Sequence, residues 1–90
     1  MTQSNIYEEA IKKFGVPAQV DMLIEEMAEL TQALLKWRRC KENALDNVCE
    51  ELVDVEIVLA QIKTGLDINL IGEFRTAKLT RLRELLNKKS

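Results

Sequence analysis

The chain contains no histidine, and among its 90 residues only three are glycine, one is proline and two are cysteine. Each scarcity excludes something. Without imidazole there is no Glu-x-x-His element of the kind that di-iron helical bundles use, and a zinc site loses one of its usual ligands. So little glycine and proline, with 4% aromatic residues, argues against a β-sandwich or barrel, which needs turn residues at short intervals. No apolar run approaches the roughly 18 residues that span a bilayer, and MTQSNIYEEA lacks the charged and apolar regions of a signal peptide. A cytoplasmic protein without membrane contact is expected. The net charge of −2, dispersed along the chain, supplies no basic field for a nucleic-acid polymer. Cys40 and Cys49 could pair, but two thiols without a secretion signal are expected to stay reduced.

What is abundant is leucine, alanine, glutamate, lysine and arginine, within an apolar content of 47%. This composition favours helices, and the length suits one small domain over residues 1–90. Four helices are legible. The first is expected from about Asn5 to Phe14, with Ser4 or Asn5 as N-cap and Gly15 as its stop. Pro17 suits the first turn of a long second helix reaching about Cys40. After the connection KENAL, Asp46 is the expected N-cap of a third helix ending before Gly65. Asp67 or Asn69 opens a fourth, which fades in the tail NKKS. Short connections favour antiparallel neighbours, so the second, third and fourth helices are expected to form a bundle. The third helix carries Leu52, Val53, Val55, Ile57, Val58, Leu59 and Ile62 almost all round. A helix apolar on every side is buried on every side, so a partner subunit is expected.

Within these apolar helices lie two acid clusters, EEMAEL at Glu25–Leu30 and EELVDV at Glu50–Val55. Positions three or four apart share a helix face. Glu26 therefore points with Glu29, and Glu51 with Asp54, while Glu25 and Glu50 flank them. Gln19, Met22, Ala33, Lys36 and Trp37 continue the face on the second helix, and Asn47, Val58 and Gln61 on the third. Antiparallel neighbours would bring the two pairs together. Carboxylates gathered in one place repel, and burial worsens it. Protonation, pairing with Lys or Arg, or a bound cation would relieve the conflict, and no Lys or Arg lies within four residues of either cluster. An oxygen-only site suits Mg²⁺ or Mn²⁺ rather than zinc. Magnesium is commonly completed by substrate phosphates, which points to a polyphosphate substrate. The plain alternative is that these acids face solvent or a basic partner.

On the fourth helix Lys78 falls inside an apolar arc between Phe74 and Leu82, with Arg81 at its edge. An ammonium there snorkels to water or meets negative charge, which makes Lys78 a candidate phosphate ligand. Lys36 either meets phosphate or is solvated.

Together these features resemble the MazG-like members of the all-α nucleoside triphosphate pyrophosphohydrolases. Their signature, Glu-x-x-Glu, a spacer and Glu-x-x-Asp, reads here as Glu26-Met-Ala-Glu29 and Glu51-Leu-Val-Asp54, with 21 residues between. FGVPAQ upstream and AKLTRL in the last helix extend the likeness from about Tyr7 to Leu85. The resemblance implies an all-α antiparallel bundle completed by oligomerisation, as a homodimer or homotetramer. It implies Mg-dependent hydrolysis of a (deoxy)nucleoside triphosphate to monophosphate and pyrophosphate. Glu26, Glu29, Glu51 and Asp54 would hold the metal, and Glu25 or Glu50 would take a proton from water. Lys78 and Arg81 would grip phosphate, although Thr76 stands where many relatives carry Asn. Trp37 would stack on a base or pack at a subunit interface; Gln19 would hydrogen-bond a base or face water. The competing expectations are a non-enzymatic helical interaction module, or the same fold acting on a substrate such as phosphoribosyl-ATP.

Overall fold

The computed structural model describes residues 2–40 and 44–88, apart from the side chain of Cys40. They form four helices and no strand: α1 (Gln3–Phe14), α2 (Val16–Cys40), α3 (Ala44–Thr64) and α4 (Ile68–Asn87). Local chemistry sets most boundaries. At the start of α1, Thr2 rather than Ser4 or Asn5 is the cap, its hydroxyl accepting from the Asn5 N–H at 3.2 Å. A threonine oxygen placed there satisfies one of the amides that the first turn leaves free. Gly15 ends α1 with φ 86° and ψ 153°, its N–H donating to the Ile11 carbonyl at 2.9 Å, and α2 begins at the next residue. The Asp67 carboxylate accepts from the Asn69 and Leu70 N–H groups at 3.0 and 3.1 Å and opens α4.

The start of α3 departs from expectation. The helix begins by Ala44, so Asp46 is not its N-cap but sits inside the first turn. A carboxylate there still complements the positive end of the helix dipole. Residues 41–43 of the expected KENAL connection, and the end of the basic tail, lie outside the described residues.

Packing follows a different scheme from the expected one. The principal packed pair is α2 with α3, antiparallel across their short connection, and α1 lies mainly against α3. The fourth helix does not join them: α4 makes no comparable packing with α1, α2 or α3. The bundle within one chain is therefore α1–α2–α3, and the sequence pattern did not reveal it because α1 and α4 both carry apolar residues at helical spacing. Ala33, Ala44, Val48, Val58 and Ile62 are buried between the helices. The opposite side of α3, with Leu52, Val53 and Leu59, is left exposed. Along α4, Phe74, Leu79, Leu82 and Leu85 are each at least half exposed. The radius of gyration, 16.4 Å, exceeds the about 12 Å of a compact chain this long. No described helix is long and apolar enough to cross a membrane.

Two glycines give opposite expectations. Gly15 holds a backbone conformation that is almost exclusive to glycine, although a Cβ there would meet nothing closer than Pro17 Cδ at 3.8 Å. Gly15→Ala should cost about 1–3 kcal/mol through the backbone alone. Gly72 lies inside α4 with nothing within 4 Å of an added Cβ, so Gly72→Ala should stabilise by about 0.5–1 kcal/mol. Urea unfolding of the two variants beside the parent measures both.

Candidate metal centre

The packing of α2 on α3 sets one register for the whole acid-bearing seam. Glu26 lies close to Asp54, and the charge of Glu29 acts on both Glu26 and Glu51. Ligand oxygens of Glu26, Glu51 and Asp54 come within 4.8 Å of one another. Three of the four expected ligands thus gather, while Glu29, exposed beside Glu26 and Glu51, is not one of the group whose oxygens come this close. Helical spacing of three residues puts each pair on one face, and the antiparallel arrangement turns the two faces together.

Electrostatically the cluster is in conflict. Burial pushes the Glu26 carboxyl above its ordinary range, and the charges of Glu29, Asp54 and Glu25 push it further. The Glu51 carboxyl rises for the same reason first, burial, and then through Glu29, Asp54 and Glu26. Neither group has a cation among the charges acting on it. Among the described residues the sole ion pair is Lys12 with Glu9, on α1. One oxygen of Glu26 and one of Glu51, both Oε2, are buried without any hydrogen-bond partner. A buried carboxylate oxygen with no donor is costly. The donor set, hard oxygens only, fits a divalent cation such as Mg²⁺ or Mn²⁺, and orphaned oxygens pointing into a like-charged cluster are what such an ion would satisfy.

Ala33 and Asn47 line one cleft between the helices. Gln19 is 3% exposed, so it does not face water, and its Oε1 is buried and unpartnered, as is that of Gln61. Spacing alone placed Gln19 on the right face, but a glutamine near a helix start carries no sign of burial. Beyond the acids, toward the end of α2, a cleft of about 400 Å³ is lined by Glu29, Gln32, Ala33, Leu35, Lys36, Arg39, Asn47 and Glu51. Lys36 therefore stands near the acids, and Arg39 stands with it. Arg39 was missed because a cation in the last turn reads as a complement to the helix dipole. Glu25 and Glu50 are exposed on either side of the cluster. Trp37 is 42% exposed and is not among the cleft's lining residues. Lys78 and Arg81 are exposed on α4 and are not brought to the acids within one chain. Cys49 is a free, exposed thiol.

Comparison of the chain with protein-family models, with curated proteins and with solved structures finds no match.

The raised carboxyls fix the sign of a pH dependence. In the folded state Glu26 and Glu51 bind protons more tightly than in the unfolded chain. Their contribution to stability therefore falls as pH rises from the ordinary glutamate range, about 4.3, through the raised values. At neutral pH in EDTA, Glu26→Gln and Glu51→Gln should each raise the urea midpoint relative to the parent. The gain should shrink as pH is lowered. An unchanged midpoint at pH 7 would show that the acids do not strain the fold.

Proposed function

We propose that this chain is a MazG-like nucleoside triphosphate pyrophosphohydrolase. It hydrolyses a (deoxy)nucleoside triphosphate to the monophosphate and pyrophosphate with Mg²⁺, for which Mn²⁺ can substitute, and clears unwanted nucleotides from the cytoplasm. The observation that carries this reading is the convergence of three carboxylates from two helices, Glu26, Glu51 and Asp54, with Glu29 beside them and two oxygens buried and unpartnered. Glu26, Glu29, Glu51 and Asp54 hold the ion in this reading. Bound there, it neutralises polyphosphate charge and makes a bound water more acidic. The chain supplies the rest. A flanking carboxylate, Glu25 or Glu50, takes the water's proton.

Incubation with each (d)NTP and Mg²⁺ should release pyrophosphate. Glu51→Gln should lower that turnover by on the order of 100-fold or more and weaken Mg²⁺ binding. A folded Glu51→Gln variant with unchanged turnover and Mg²⁺ affinity would remove the assignment. Phosphoribosyl-ATP in the same assay covers the other pyrophosphate-containing substrate class.

A non-enzymatic interaction module is favoured by one observation, the exposed apolar side of α4. The same surface fits the enzyme reading if a second copy covers it, as homodimer or homotetramer, since unpartnered apolar faces of this size mark interaction sites. In sedimentation the parent should run as an oligomer, and Leu82→Glu on α4 should shift it toward monomer. A parent that sediments as a monomer at micromolar concentration would contradict the oligomer. Failure to turn over any triphosphate by a well-folded oligomer would favour the module.

A further inference from the structure

The cleft at the end of the acid seam has two electrical ends. Glu29 and Glu51 close one; Lys36 and Arg39 stand toward the other, with the Asn47 amide on the facing wall. Along α2 the residues Glu29, Gln32, Lys36 and Arg39 follow helical spacing and form one stripe. Lys36 lies about 10 Å and Arg39 about 15 Å along the axis from Glu29. Side chains on a helix lean toward its N-terminus, so both cations reach back toward the acids rather than away. Among the described residues neither makes an ion pair, although carboxylates line the same cleft. Complementing the dipole of α2 explains a cation in the last turn, but it does not select a side. Arg38 serves that purpose equally and is not a lining residue, whereas Lys36 and Arg39 both are.

From this arrangement we infer that Lys36 and Arg39 bind the phosphate chain of the substrate, which runs from the acid cluster along the cleft toward the end of α2. The inference rests on the pyrophosphohydrolase reading and assigns the polyanion to cations of the acid-bearing helix itself. An arginine fork presents paired donors to phosphate oxygens, and the lysine adds a point charge. Lys78 and Arg81 of α4 are not needed for this contact within one chain.

Calorimetric titration with inorganic tripolyphosphate in the presence of Mg²⁺ tests the inference on the full chain without relying on turnover. Arg39→Ala and Lys36→Ala should each weaken its binding by roughly tenfold or more. Mg²⁺ affinity measured alone should stay the same. Arg39→Lys should recover part of the loss, and Lys12→Ala on α1 should bind as the parent does. In the hydrolysis assay the two alanine variants should raise KM by a similar factor with kcat changed less than about threefold. If the parent binds and hydrolyses while both variants match it, the phosphates do not follow this cleft and the pyrophosphohydrolase reading survives. If the parent neither binds Mg-tripolyphosphate nor turns over any triphosphate, that reading and the inference fall together.

Discussion

Mutual repulsion among Glu26, Glu29, Glu51 and Asp54 is the constraint around which this molecule is organised. Two helices pack so that three of these acids meet with Glu29 beside them, and the packing that joins them is modest, built on Ala33, Ala44, Val48, Val58 and Ile62. Burial between α2 and α3, together with neighbouring acids, is what makes the charges costly. A fold that only needed a stable seam would place apolar residues at these positions, since replacing buried charges with apolar groups is often stabilising. Acids at these positions make sense where a cation relieves them.

The seam has a sequence of chemistries along its length. Two glutamines with buried, unpartnered oxygens occupy one end, the acids the middle, and a cleft with lysine and arginine the other. One antiparallel register produces all three. A ligand carrying both a divalent ion and a run of anionic groups matches the middle and the far end together, while either alone would leave one part of the seam unmatched. The exposed apolar side of α4 adds a second unresolved surface, chemically distinct from the first, and the extended outline of the chain follows from it.

Much of this was legible in the sequence, for identifiable reasons. Gly15, Gly65 and Asp67 announce helix ends because their effects are local: a positive φ, a turn whose N–H returns to the Ile62 carbonyl, a carboxylate accepting from the amides two and three residues on. The facing of the acid pairs follows from a spacing of three residues and a short connection. What the sequence did not reveal depends on tertiary partners. Thr2 caps α1 where Ser4 offered the same chemistry two residues later, and the sequence carries nothing that chooses between them. That α1, and not α4, lies on α3 has no local signal, because both carry apolar residues at helical spacing. The burial of Gln19 reads as nothing in a polar residue, and Arg39 reads as an ordinary helix end.

The direct measurement is the thermal unfolding midpoint of the parent chain as MgCl₂ is added, compared with NaCl at matched ionic strength. An ion held by the four acids stabilises the native state by mass action, so the midpoint should climb with the logarithm of Mg²⁺ concentration, above anything NaCl produces. Superimposable Mg²⁺ and Na⁺ curves would mean that the cluster holds no divalent ion, and the account of the acids would be wrong.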